Sequence, residues 1–243
     1  MKIGIISALE SEQTHLIKNE SSRQTIGGVD YVSAPLEGVE CMFALSGIGK
    51  TNSAMITTIL IEKFGCTDII FSGVAGGIDN RLNVGDVVVS TDVYCVDYGR
   101  HTKGEMTVYQ PGGDPFPGAD ETHGYAINKL YRDKVEFPAI DDLKPVLGHA
   151  PVIQWGKVLT ADIFMNCGET RKELFTKYEA QAFEMEGASV AQVATAFGVN
   201  WILVRALSDL AGEDSNINFE EFLSSTTYNA SVVARKIVQC LTQ

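Results

Sequence analysis

The sequence predicts an α/β fold in a single domain over residues 1–243: a central mixed, mostly parallel twisted sheet flanked by helices. Three observations carry this. Short apolar runs ending in small or polar residues alternate with segments whose apolar positions recur at helical spacing. No stretch reads as a linker, an internal repeat or a low-complexity segment. With 243 residues, 45% hydrophobic and 21% charged, the chain is long and apolar enough to bury one sizeable core.

Each element follows in order. "KIGIIS" is a buried first strand, and "ALESEQTHLIKN", with Leu9, Gln13, Leu16 and Ile17 at helical spacing, predicts a helix. "GGVDYVSAPL" and "VECMFALSG" predict antiparallel strands near the start of the sheet. "SGIGKTNSAMITTILIEKFG" passes from glycines into a helix with apolar positions at 55, 56, 59, 60 and 64. "DIIFSGVAGG" is a strand ending in a glycine turn, and "GDVVVSTDVYCV" is another. From Asp97 to about Ala119 the chain is irregular, a loop of the length used for lids and interfaces, with a plain surface excursion as the alternative. A helix near 120–133, the strand "PVIQWGKVLTAD", a helix around 168–178, "QAFEMEGASVAQVA" with its helix, the strand "NWILVRALSD" and a last helix from about Phe219 to Leu241 complete the chain. Strands alternating with helices predict a mostly parallel sheet, mixed at one edge.

The net charge of −12 argues against nucleic acid and against an anionic membrane as partner, because both require a basic footprint. Cys41, Cys66, Cys95, Cys167 and Cys240 are odd in number and form no C-x-x-C pair, so neither a zinc site nor a disulfide framework is expected. The histidines at 15, 101, 123 and 149 show no metal-ligand spacing; no metal and no organic cofactor is indicated. The first apolar stretch ends at Glu10, too short for a signal sequence, and the longest charge-free run, Gly187 to Val204, reads as helix, turn and strand rather than a membrane span. A cytoplasmic chain with reduced thiols is expected.

In open α/β sheets ligands collect beyond the carboxyl ends of the strands. Those ends hold Ser46 to Gly49, Ser72 to Gly77, Asp162, Glu184 to Glu186, and Arg205 to Asp209, while the first helix adds Glu10 and Glu12. This is a concentration of carboxylates with one arginine among them. Each has a plainer reading. Glu186 at a helix start reads equally as a cap, and Ser208-Asp209 as a turn or cap. Glu12 reads as a solvated helical residue, Phe164 and Met165 as core. "SGIGK" lacks the spacing of a nucleotide phosphate loop.

Taken together, "KIGIISALESE", "SGIGK", "GVAGG", "VGDVVVS", "FEMEGASVA" and "VRALSD" resemble, in order and spacing, the bacterial 5′-methylthioadenosine/S-adenosylhomocysteine nucleosidases of the nucleoside phosphorylase superfamily. The resemblance runs from Met1 to the final helix and loosens between about Asp97 and Val152. It implies a single-domain three-layer sandwich and a hydrolase that releases adenine from 5′-substituted adenosines. It also implies roles. Glu12 matches the base that activates water, and Asp209 the acid that protonates purine N7, with Ser208 beside it. Glu186 matches the carboxylate that grips the ribose hydroxyls, with Met185 against the sugar and Glu184 in a structural place behind. Arg205 matches an arginine near the ribose, Phe164 an aromatic stacked on the base, and Met165 a position whose backbone meets the adenine edge. Leu9, Ile48 and Phe219 match apolar positions around the ribose and the alkylthio group. A homodimer is implied, in which the middle segment, longer here, approaches the neighbouring site. Val74 stands where many relatives have serine.

The chemistry is consistent with those roles. Cleaving an N-glycosidic bond builds positive charge on the ribose and negative charge on the purine, so an acid on the base and a water-activating carboxylate on the opposite side are required. The acid has to keep its proton near neutral pH, so Asp209 is expected to be desolvated or near another carboxylate. Phosphorolysis needs cations for a phosphate dianion, yet "VECMFAL" supplies no arginine and "SALESE" places Glu12 where phosphate would sit. Water is the expected nucleophile; a phosphate-dependent purine nucleoside phosphorylase and a non-catalytic nucleoside-binding protein are the alternatives. Methylthio, homocysteinyl and aminofutalosine-type substituents all stay open, because apolar walls discriminate weakly.

Overall fold

A computed structural model of the chain describes residues 1–119, 123–137, 140–212 and 215–243. Strands β1 (Ile3–Ser7), β2 (Ser22–Ile26), β3 (Val29–Leu36), β4 (Val39–Leu45), β5 (Asp68–Gly77), β6 (Val87–Cys95), β9 (Tyr125–Ala126), β10 (Ile153–Thr160), β11 (Ala182–Glu184) and β12 (Asn200–Asp209) form one sheet. A separate two-stranded sheet joins β7 (Gly99–Thr102) to β8 (Glu105–Val108). The helices are α1 (Glu10–Gln13), α2 (Lys50–Glu62), α3 (Lys129–Lys134), α4 (Gly168–Tyr178), α5 (Gly187–Ala196) and α6 (Ser215–Thr242).

The main sheet runs in the order β11-β10-β6-β12-β5-β1-β4-β3-β2. Helices cover both faces, so its central strands are apolar on both sides. Along β1, Ile6 joins the cluster that contains Ile56 and Leu60 of α2 and Val190 and Ala194 of α5. Ile3 and Ile5 join the opposite cluster, with Val233, Ala234 and Ile237 of α6.

An α/β fold with a mixed sheet flanked by helices is as expected; the open sandwich is not. Strand β11 pairs with β10 on one side and, antiparallel, with β5 on the other, so β5, β12, β6, β10 and β11 close into a five-stranded barrel. Glycines make the closure possible. Ala182 and Phe183 pair with Gly77 and Gly76 at the end of β5, where a Cβ on Gly77 would lie 3.0 Å from Leu207 Cδ1. A bulge between Gly156 and Lys157 bends β10 along β6. The sheet is mixed and, by aligned residues, mostly parallel: its described pairings divide into five parallel, which carry most of the aligned residues, and five antiparallel. Antiparallel pairing occurs at the β2–β3–β4 edge as foreseen, but also between β12 and β6 inside the barrel.

Other differences are local. The first helix is a single turn, because the His15 carbonyl accepts from Arg235 of α6 and Leu16 turns into the core. The irregular middle contains the β7–β8 hairpin, whose two-residue turn places Lys103 and Gly104 at φ 54° and 88°. The helix expected near 120–133 is β9 followed by α3; residues 120–122 of that expectation lie outside the described residues. Strand β2, exposed along most of its length, carries no apolar alternation to reveal it.

Candidate functional site

The ends of β1, β5, β10, β11 and β12 open on one cleft of about 720 Å³, counting its mouth. Its lining includes Leu9, Glu12, Ile48, Phe164, Met165, Met185, Glu186, Ser208, Asp209 and Phe219, ten of the eleven residues singled out in the sequence. The eleventh, Arg205, lies behind the wall.

Glu12 reaches the cleft from α1. Its Oε2 accepts from the N–H groups of Ala8 at 2.7 Å and Leu9 at 2.9 Å, and its Oε1 from Val74 N–H at 3.0 Å. It is therefore no solvated helical residue but a buried carboxyl, and burial, against the Arg205 charge and three N–H donors, holds its pKa above the usual range. Gly73 makes room for it: a Cβ there would lie 2.6 Å from Glu12 Oε1. The contact from residue 74 is a backbone one, so valine in place of serine leaves it intact.

Asp209 ends β12 and is 2% exposed. Its Oδ1 accepts from Ala211 N–H at 2.8 Å and its Oδ2 from the Ser208 hydroxyl at 2.9 Å. A Cβ on Gly76 would come within 3.0 Å of Asp209 Oδ1, so "GVAGG" keeps β5 bare beside both buried carboxyls.

The two glutamates flanking Met185 divide the work between them. Glu184 is the cap: it accepts from Gly187 N–H at 2.8 Å and Glu186 N–H at 3.1 Å, while Arg205 Nη2 lies 2.8 Å away. Thr160 donates to the same carboxylate and accepts from Ala188 N–H at 2.9 Å. Glu186 makes no side-chain cap. Its Oε1 accepts from Gly49 N–H at 2.9 Å, and its carboxyl faces the cleft. Burial first, then Glu184, push its pKa up to about 8, with Glu12 adding to the rise and Arg205 and the Gly49 N–H opposing it.

Arg205 is 1% exposed, with its guanidinium 4.0 Å above the Phe71 ring and donating to the Phe71 and Val204 carbonyls. It offsets the charge of the carboxylates from behind. The opposite wall is apolar: Phe164 meets the edge of Phe219 with ring centroids 6.1 Å apart. Sequence reasoning missed Ile163 and Phe183 on the wall, and the contacts of Lys50 with Asp97 and Cys95 beside it. Only Asp162, a strand-end residue, pointed toward that cluster. No group of acidic, histidine or cysteine side chains among the described residues is placed to hold a metal.

A family model described as the phosphorylase superfamily matches residues 2–242. The chain belongs to this superfamily. Within it, the chain is 36% identical to a 5′-methylthioadenosine/S-adenosylhomocysteine nucleosidase of Bacillus pumilus, covering 98% of this chain and 99% of the relative. It is 34% identical to a protein of the same description from Mycobacterium bovis, covering 99% and 98%. Among solved structures it is similar to a 5′-methylthioadenosine/S-adenosylhomocysteine nucleosidase from Colwellia psychrerythraea in complex with adenine. That match has a TM-score of 0.80 and 26% identity and covers 99% of this chain and 96% of that one.

Proposed function

We propose that this superfamily member is a nucleosidase that hydrolyses the N-glycosidic bond of 5′-methylthioadenosine, S-adenosylhomocysteine or a related 5′-substituted adenosine, releasing adenine and the 5-thioribose. The observation that carries the reading is a cleft whose only ionisable side chains, among the described residues, are buried carboxyls, with Glu12 and Asp209 brought to it from opposite ends of the chain. Full-length relatives of the same printed description support it.

In this reading Asp209 protonates N7 of the departing adenine, oriented by the Ser208 hydroxyl and Ala211 N–H. Glu12 takes the proton of the attacking water; burial raises its basicity toward the working pH. Glu186 holds the ribose hydroxyls with Met185 beneath the sugar, Phe164 stacks on the base, and the Met165 backbone meets its edge. Leu9, Ile48 and Phe219 form an apolar wall suited to an alkylthio group. Arg205 acts through Glu184 rather than by touching the ribose.

Water is favoured over phosphate as nucleophile because no lysine or arginine among the described residues lines the cleft and the nearby Arg205 is engaged by Glu184. One continuous sheet supports residues 1–243 acting as a single domain. Ile48, Ile163 and Phe164, about half exposed at the cleft, are consistent with a homodimer that covers them. No described helix is long and apolar enough to cross a membrane, and the acidity disfavours nucleic acid; a cytoplasmic enzyme is the reading adopted.

The test is adenine release from methylthioadenosine in phosphate-free buffer and again with added phosphate. Equal release in both, with free methylthioribose as co-product, is expected. Release only with phosphate would make the protein a phosphorylase, and tight binding without release a nucleoside-binding protein.

A further inference from the structure

Lys50 stands just outside the cleft wall, and none of the roles above uses it. Its side chain is one-fifth exposed and its ammonium is bonded to Asp97, with Asp162 Oδ2 at 3.6 Å and Cys95 Sγ at 3.7 Å. The two aspartates are themselves joined. Asp162 N–H donates to Asp97 Oδ2 at 2.8 Å, Asp162 Oδ1 accepts from Lys50 N–H at 2.9 Å, and the Cys95 thiol donates to Asp97 Oδ1 at 3.2 Å. One cation thus ties the glycine loop before α2 to the chain leaving β6 and the chain leaving β10.

Two of these segments continue into the cleft. Gly49, at φ 101° and with no room to spare beside Asp162 Oδ1 (3.3 Å from an added Cβ), donates its N–H to Glu186. Asp162 leads directly into Ile163, Phe164 and Met165. Without the ammonium, the Asp97 and Asp162 carboxylates would repel each other and part the two walls.

We infer that Lys50 is a positioning residue for nucleoside binding: by holding Asp97 and Asp162 together, it sets the Gly49 N–H against Glu186 and the 163–165 segment against the base. The inference rests on the nucleosidase reading for its substrate, and on geometry alone for the link to Glu186.

The experiment compares wild type, Lys50→Met and Lys50→Arg by steady-state adenine release and by NMR titration of 13Cδ-labelled glutamates, with the Glu186 signal assigned by its loss in Glu186→Gln. Loss of a hydrogen bond to a charged group predicts a KM about tenfold higher in Lys50→Met, with a smaller change in kcat. The Glu186 midpoint should rise as the Gly49 N–H withdraws, while Glu184, Arg205 and Glu12 still face that carboxyl. Lys50→Arg should restore both readouts. An unchanged KM and midpoint in folded Lys50→Met, or no recovery with Lys50→Arg, overturns the inference. Should Lys50→Met fail to fold, Lys50→Gln removes the charge while keeping a polar side chain beside both aspartates; a rise in KM and midpoint supports the role, and unchanged values overturn it. If wild type releases no adenine, the nucleosidase reading fails, and the NMR shift still decides whether Lys50 sets Glu186.

Discussion

Among single residues, the buried carboxyls have separable consequences. If Glu12 and Asp209 act on water and on N7, Glu12→Gln and Asp209→Asn should each lower kcat by roughly 10²–10⁴-fold. Adenine affinity, read by calorimetry, should change far less in Glu12→Gln if that residue serves the water. Glu186 makes a different prediction, about stability. Its folded pKa of about 8 lies above the unfolded carboxylate value, so the folded state holds a proton the unfolded state releases. Its contribution is fully present below the unfolded pKa and is lost as pH rises to about 8. Glu186→Gln should therefore match wild type in Tm near pH 4 and exceed it increasingly up to pH 8, levelling off above. A constant Tm difference across that range would refute the raised pKa.

Among elements, the local sequence is tuned to close approach. Gly73→Ala should displace the Glu12 carboxylate from its three N–H donors; misplacing a catalytic group by about 1 Å costs on the order of 10²-fold in rate, so kcat should fall that far while the protein stays folded. Glu184 caps α5 and neutralises Arg205 at once. Glu184→Ala leaves a buried guanidinium unpaired and should cost about 3–5 kcal/mol in chemical denaturation, far more than loss of a cap alone. The residues before α5 show why composition misleads here: of the two glutamates flanking Met185 either can cap the helix, and it is Glu184 that takes the Gly187 and Glu186 N–H groups while Glu186 takes that of Gly49.

Across the whole molecule, the barrel and the hairpin differ in how much apolar surface holds them. Strands β5 and β12 are buried almost throughout, whereas β7 and β8 are largely exposed and form a sheet of their own. Amides of β5 and β12 should exchange only through global unfolding, and those of the β7–β8 hairpin orders of magnitude faster, in a native-state hydrogen-exchange experiment. The barrel also explains the site's location. Closure by β11 carries Glu184 and Glu186 across to β5 and β12, so the Glu186 carboxyl faces the strand ends that carry Ser208 and Asp209.

Read alone, the sequence determined the order of most strands and helices, because apolar periodicity reports directly which faces are buried. It also determined which residue types lie beyond the strand ends, where backbone groups and side chains are free to meet a ligand; of the eleven site residues named with the help of the family resemblance, ten line one cleft. Only the tertiary structure decided that the sheet closes, that Glu184 rather than Glu186 is the cap, that Arg205 stands behind the wall, and that Lys50 joins two segments more than a hundred residues apart in sequence. Those outcomes depend on pairing and charge contacts between distant segments. Local periodicity carries no record of them: a strand's pattern says which side faces the core, not which neighbour completes it.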